Sequence, residues 1–155
     1  VAITPACAYV DPWGAIVIGL VAGAACALAI GLKYRLGFDD SLDVVGVHLV
    51  GGLIGCLMIG LVATRGVNEF GGDGLFHGGA LSLLGKQALG SFSVLAYSFI
   101  VTYLLGTILE RTMGFRVTRD QEIEGVDLTQ HAETGYDLEG RAGGGTLAGI
   151  TTKGA

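Results

Sequence analysis

Three long stretches without a charged residue constrain this chain more than any other feature of its sequence. No Asp, Glu, Lys or Arg occurs in residues 12–32, 44–64 or 87–109. A helix rises about 1.5 Å per residue, so about 20 apolar residues cross a hydrocarbon core of about 30 Å. Charged residues make up 15% of the chain, against about 25% in a typical soluble domain. The sequence therefore predicts an all-α membrane protein with three transmembrane helices.

Turn-forming and charged residues set the expected boundaries of these helices. Asp11 followed by Pro12 predicts a helix start, because an aspartate accepts bonds from the first amides and proline suits the first helical position. Any of the three polar side chains at positions 39–41 can cap the second span. We expect the end of a preceding helix and an outer loop in residues 1–10, spans in 11–33, 41–64 and 86–113, a cytoplasmic loop in 34–40 and an outer loop in 65–85.

The acidic character of the chain belongs to its C-terminal part. Of the 14 acidic residues, eight follow Leu109, and they account for most of the net charge of −5. A tail is expected in residues 114–139, and disorder in residues 140–155, which are small and without periodicity. The acidic balance argues against a nucleic-acid partner. Cysteines occur without metal or disulfide spacing at Cys7, Cys26 and Cys56, which predicts buried thiols and neither a metal site nor a cofactor.

The basic residues predict an orientation in the membrane. One side of the predicted bundle carries Lys33 and Arg35 together with the arginines of the tail, and the other carries Arg65 and Lys86. By the positive-inside rule, the first connector and the C-terminus are expected in the cytoplasm. Glycines three residues apart, which allow close helix packing in lipid, occur as Gly19 with Gly23 and Gly51 with Gly55.

His48 is the one residue within the predicted spans that could titrate near neutral pH. An ionisable side chain at membrane depth is a candidate functional group. Burial there favours the neutral imidazole, which has one N–H donor and one bare nitrogen acceptor. Such a group can line a conduction path, or it can bond to a neighbouring helix to hold a bundle together, and chemistry alone leaves both readings open. His77, in the glycine-rich loop, and His131, in the tail, are expected to have surface or packing roles.

Three motifs in order resemble the C-terminal portion of the ammonium transporter (Amt/Rh) family. They are Thr4-Pro-Ala-Cys-Ala, then Asp39-Asp-Ser-Leu-Asp43-Val-Val-Gly-Val-His48, and in the tail Glu122-Ile-Glu-Gly-Val-Asp127-Leu-Thr-Gln-His131-Ala-Glu-Thr-Gly-Tyr136. The resemblance implies an eleven-helix fold of two inverted halves, assembled as a homotrimer in the plasma or inner membrane. This chain would be a fragment that supplies the last three helices and the cytoplasmic tail.

The same resemblance implies a function for particular residues. His48 occupies the position of the second member of a histidine pair that lines a narrow pore for ammonium or ammonia, and the first member would lie upstream. Asp40 and Asp43 would act at the cytoplasmic mouth or in gating. The tail would regulate gating and lie near a bound PII signalling protein, through a set of residues comprising Gly125, Asp127, Thr129, His131 and Tyr136.

The tail departs mildly from the bacterial pattern of the family, with Val126 between Gly125 and Asp127, and Ala132 after His131. Thr129 corresponds to a threonine that plant members phosphorylate, and it can equally be an ordinary polar tail residue. An alternative to transport is a non-conducting membrane scaffold or ammonium sensor that signals through the tail. An enzyme is not expected, since no serine, cysteine or metal ligand lies at a matching spacing from His48.

Overall fold

A computed structural model describes residues 1–133 of the chain. The described part is mostly helical, and three of its helices are long and apolar enough to cross a membrane. No strand forms in residues 1–133, where the one β-type pairing is an isolated antiparallel bridge between Val10 and Ala63. The chain divides into two compact units, Val1–Val101 and Thr102–Ala155. Tyr136 of the tail lies outside the described residues. The segment 140–155, for which we predicted disorder, lies outside them too.

The first span consists of helix α1, Pro12–Ile30, followed by the short helix α2, Leu32–Leu36. The Asp11 carboxylate caps α1 by accepting a hydrogen bond of 2.7 Å from the Gly14 amide. The span continues past the expected end at residue 33, because the linking glycine at position 31 keeps right-handed helical angles. It ends at Gly37, whose left-handed conformation (φ 69°) suits the residue after a helix.

The second span begins with a π-helical segment, Val44–Leu49, and continues as α3, Val50–Val62. It starts at Val44 rather than at residue 41, because Asp43 has a left-handed backbone (φ 56°) that a helix cannot include. The π segment was not predicted from the sequence. Before the first span, residues 1–9 form consecutive turns closed by i to i+3 bonds, where we had expected the end of a helix.

The third span is helix α4, Leu81–Thr112, which begins in the first unit and ends in the second. It starts at Leu81 rather than at residue 86, because packing stabilises its first turn. Leu83 contacts the core, and Leu84 lies so close to Gly60 of α3 that a methyl group there would collide with it. Lys86, which we had taken as the boundary, is an exposed residue on the helix. After α4, Gly114 adopts a left-handed conformation (φ 78°).

The core lies between α1, α3 and the N-terminal turns. Its most buried members are Ala6, Ile18, Val62 and Ala63, with Leu83 of α4 packed at its edge. Gly51 and Gly55 pack tightly as expected, the first against Cys26 and the second against the backbone of Ala2. The other predicted pair differs: among the described residues, Gly19 and Gly23 have no neighbour within 4 Å of an added methyl group. These two glycines lie on an uncovered face of α1.

The loop between the second and third spans contains one 3-10 turn, Leu75–His77. Its ends are tied to the N-terminal segment and to α3: the Thr64 amide donates to the Tyr9 carbonyl, and the Gly74 amide donates to the Ala63 carbonyl, both at 2.8 Å. Asp73 accepts a bond from the Arg65 amide at 2.8 Å. These bonds hold the start of the first span beside the end of the second.

In the second unit, helix α5, Arg119–Glu124, follows the end of α4. Thr118 and Gln121 form a capping box at its start, in which each side chain bonds to the backbone of the other residue. A π-helical turn, Asp127–His131, comes next. The tail up to Glu133 is therefore folded locally into short helical elements.

Candidate functional site

His48 lies in the π segment and faces an open groove between α3 and α4. The groove has a volume of about 490 Å³. One wall comes from the second span and consists of His48, Leu49, Gly52, Leu53 and Cys56. The other wall comes from α4 and consists of Gln87, Gly90, Ser91, Val94, Leu95 and Ser98. No Asp, Glu, Lys or Arg lines the groove among the described residues.

The α4 wall carries polar groups that do not stand out in the sequence. Gln87, Ser91 and Ser98 are separated by four and seven residues, so they lie on one face of the helix. This spacing was readable from the sequence, but uncharged polar residues in a membrane helix carry little signal alone. Together with His48 they give an otherwise apolar groove several hydrogen-bonding groups. His48 is exposed among the described residues, because the groove is open on one side.

The π segment is capped by Asp40, which resolves the choice among the three candidate capping residues. One carboxylate oxygen of Asp40 accepts from the Val44 amide at 2.7 Å, and the other accepts from the Val45 amide at 2.9 Å. These amides lie at the start of a helical stretch, where the backbone cannot satisfy them. Asp40 therefore compensates the amide end of the segment that carries His48.

Asp43 pairs with a residue that we had assigned only to a basic connector. The Lys33 ammonium lies 2.6 Å from a carboxylate oxygen of Asp43 and donates at 2.9 Å to the Asp40 carbonyl. The exposed fractions of the two paired side chains are 15% for Lys33 and 32% for Asp43. The structure thus brings Asp40 and Asp43 together around the Lys33 ammonium. Through these contacts Lys33 connects the first span to the second. Opposite charges ten residues apart do not reveal such a pair without the fold.

The groove lining does not include the remaining predicted residues that the structure describes. His77 is exposed in the 3-10 turn. Asp127 and His131 are exposed in the tail, while Thr129 is half-buried, and its hydroxyl donates to the Gly125 carbonyl at 3.0 Å. Gly125 has a positive φ of 107°, which favours glycine there.

The cysteines differ in part from the expected buried thiols. All three are free: Cys7 is exposed, and Cys26 and Cys56 are half-buried. The Cys26 thiol faces the Val47 carbonyl at 3.8 Å, and Cys56 lines the groove. In the described part of the chain, no group of three or more His, Cys, Asp or Glu side chains could hold a metal ion.

A comparison with protein families decides what kind of chain carries this groove. Residues 1–136 match the model of the Ammonium Transporter Family. The chain belongs to the ammonium transporter family. Family members are transporters or channels and not enzymes, as the sequence analysis expected. The three apolar helices agree with a membrane protein of this family.

Individual relatives support the same assignment. The chain is 54% identical over 143 residues to an ammonium transporter of Mycobacterium tuberculosis, a match that covers 89% of this chain and 30% of the relative. It is 46% identical over 137 residues to a putative ammonium transporter of Methanothermobacter thermautotrophicus, covering 88% of this chain and 34% of the relative. Ammonium transporter Amt1 of Archaeoglobus fulgidus is 42% identical over 135 residues, covering 87% and 34%. The chain spans about a third of the length of these transporters.

Proposed function

We propose that this chain forms one side of the permeation path of an ammonium transporter, and that His48 lines that path. The observation that carries the proposal is the position of His48 in an uncharged groove between two membrane-spanning helices of an ammonium transporter family chain. The relatives named above are ammonium transporters, which supports ammonium or ammonia as the substrate. The groove is open on one side, so further helices would complete the path.

The chemistry of the groove suits a small polar solute. A neutral imidazole offers a donor or an acceptor to an ammonia molecule, and the groove residues Gln87, Ser91 and Ser98 can add further hydrogen bonds. A hydrated alkali cation would have to lose its water in a mostly apolar groove, at a cost that these groups cannot offset. In the path we propose, His48 pairs with a second histidine from another part of the polypeptide.

The larger architecture is also part of the proposal. Three spans in about a third of the length of the relatives are consistent with a fold of eleven helices in two inverted halves, which we infer to assemble as a homotrimer in the plasma or inner membrane. The basic residues at the Lys33 end and in the tail support a cytoplasmic C-terminus. The exposed Asp127 and His131 near Gly125 and Thr129 support a regulatory surface for a PII protein.

Methylammonium uptake tests the role of His48. The assay uses a full-length transporter, meaning this chain joined to the remainder of an ammonium transporter such as that of Mycobacterium tuberculosis. Removing a hydrogen-bonding group from a dry path costs about 2 kcal/mol, so His48→Ala should reduce uptake by roughly thirtyfold. His77→Ala is the matched control, because His77 is an exposed loop histidine outside the groove, and it should leave uptake unchanged.

Equal uptake by His48→Ala and the unchanged protein, at equal amounts in the membrane, would refute the role of His48. The scaffold or sensor reading, in which the chain signals through its tail without conducting, would instead be supported if the unchanged full-length protein gave no more uptake than an empty vector.

A further inference from the structure

We infer that one face of the first span, formed by Cys26, Ile30 and Lys33, positions the π segment and so sets the direction in which His48 points into the groove. We call these three residues the positioning face. The inference rests on the proposed role of His48, and it adds residues to that site which neither line the groove nor touch the substrate.

The positioning face follows from helical geometry. Cys26, Ile30 and Lys33 are separated by four and three residues, so they lie along one side of the first span. Their contacts run antiparallel along the second span, to Val47, Gly46 and Asp43 respectively. Each residue of the face thus meets a different position of the stretch that leads to His48.

Contact at the middle of the positioning face is close. Gly46 is buried, and a methyl group built on it would lie 3.0 Å from both the backbone nitrogen and Cγ1 of Ile30. The backbone nitrogen cannot move aside as a flexible side chain could. Gly46 therefore allows the π segment to rest directly on the first span.

The two ends of the positioning face make polar contacts. The Cys26 thiol points to the carbonyl of Val47, the residue before His48, with 3.8 Å between sulfur and oxygen. At the other end, Lys33 pairs with the carboxylate of Asp43 and donates to the carbonyl of Asp40. The second span is thereby held just before its π segment, at Asp40 and Asp43, and within it, at Val47.

A π turn needs such support. Hydrogen bonds from i to i+5 are rare and occur mostly as single turns inside α-helices, frequently at functional sites. The turn contains one residue more than an α turn, so its conversion to α-helix would rotate the flanking residues by about 100°. The left-handed backbone of Asp43 (φ 56°) adds strain that the surroundings must hold. Loss of the Lys33 contact would let Asp43 relax and change the direction of the His48 ring.

The test combines substitution of Lys33 with a direct measurement on His48 in the full-length transporter. Solid-state 15N NMR reports the hydrogen bonding of the ring nitrogens, and the His48 signals are assigned by their loss in His48→Ala. Lys33→Met and Asp43→Asn should both shift these signals and lower methylammonium uptake by roughly fivefold, the effect of one partly exposed ion pair. Asparagine tolerates a left-handed backbone as aspartate does, so Asp43→Asn removes the charge alone.

Two controls separate positioning from general damage. Lys33→Arg keeps the cation and should keep both the signals and the uptake. Lys86→Met removes an exposed lysine of α4 outside the groove and should also leave the His48 signals unchanged. If Lys33→Met fails to fold, Cys26→Ala decides instead, since it removes the donor to Val47 without changing charge. Cys26→Ser keeps a donor and is its control.

Unshifted His48 signals in a folded Lys33→Met or Cys26→Ala variant would overturn the inference. The proposed function fails separately, if His48→Ala transports normally. Shifted His48 signals in Lys33→Met or Cys26→Ala, together with normal transport by His48→Ala, would support the positioning of His48 by the first span. The same pair of results would refute the role of His48 in the path.

Discussion

Asp11 shows how one side chain fixes the start of a membrane span. Its carboxylate accepts from the Gly14 amide at 2.7 Å, and Pro12 follows in the first turn. At the edge of a membrane, unsatisfied amides are costly, so a capping side chain has a larger role than in water. The pairing of a capping residue with proline was recognisable in the sequence because both preferences are local.

Replacing Asp11 should therefore destabilise the protein. Asp11→Ala removes the acceptor and should lower the free energy of unfolding by about 1 kcal/mol. Asp11→Asn keeps an acceptor oxygen and should lower it by much less. Thermal unfolding of the full-length transporter in mild detergent, followed by circular dichroism, measures both. Equal stability of Asp11→Ala and the unchanged protein would show that the Asp11 carboxylate contributes nothing to α1.

At the same scale, the sequence singled out His48 as a candidate site residue but not the residues around it. A lone histidine in an uncharged stretch stands out by composition. Gln87 and Ser91 reach the groove only because α4 lies beside α3, and Lys33 meets Asp43 only because the connector folds back. These pairings depend on contacts between elements, which residue types and spacing do not determine.

Among the elements, the three spans were predictable because they depend on a simple quantity, the length of a stretch without charge. Their ends were less so. Lys86 looked like a boundary, yet a long lysine side chain can extend towards the membrane surface from within a helix. The residue types of the π segment are those that also form an α-helix, so the sequence does not distinguish the two and the π segment was not predicted. It depends on the capping by Asp40 and the left-handed backbone of Asp43.

The start of α4 can be tested through the glycine against which it packs. A methyl group on Gly60 would collide with the backbone of Leu84, so Gly60→Ala should destabilise the protein by about 2 kcal/mol. Gly85 follows Leu84 on α4 but has no neighbour within 4 Å of an added methyl group in the part of the chain that the structure describes. Gly85→Ala should be neutral or stabilising by up to about 1 kcal/mol, since alanine favours helix over glycine.

Thermal unfolding of both variants in the full-length transporter gives the comparison. Similar unfolding temperatures for Gly60→Ala and Gly85→Ala would contradict the close approach of Leu84 to Gly60.

For the whole molecule, the important feature is apolar surface that nothing in residues 1–133 covers. The apolar stretch of α4 has 0% of its residues buried, and large apolar side chains such as Phe92 and Tyr97 are exposed. The groove that carries His48 is open as well. Without a hydrophobic driving force between helices in lipid, these faces need the close packing of further helices.

We therefore expect no transport from this chain alone. In cells lacking their own ammonium transporters, the chain alone should give no more methylammonium uptake than an empty vector. Co-expression with the preceding part of the Mycobacterium tuberculosis relative should restore uptake, because added helices close the groove. Co-expression of that preceding part with the His48→Ala variant of this chain should not restore uptake. Uptake by the chain alone would show that the groove conducts without being closed.

The first span is joined to the second at both ends, by the bridge of Val10 with Ala63 and by the ion pair of Lys33 with Asp43. Deleting one residue between these joints would shorten the first span by about 1.5 Å and rotate everything beyond it by about 100°. Lys33 could then no longer reach Asp43 while Val10 stayed paired. Insertions and deletions in the two spans must therefore compensate each other, so the lengths of the two spans can change only together.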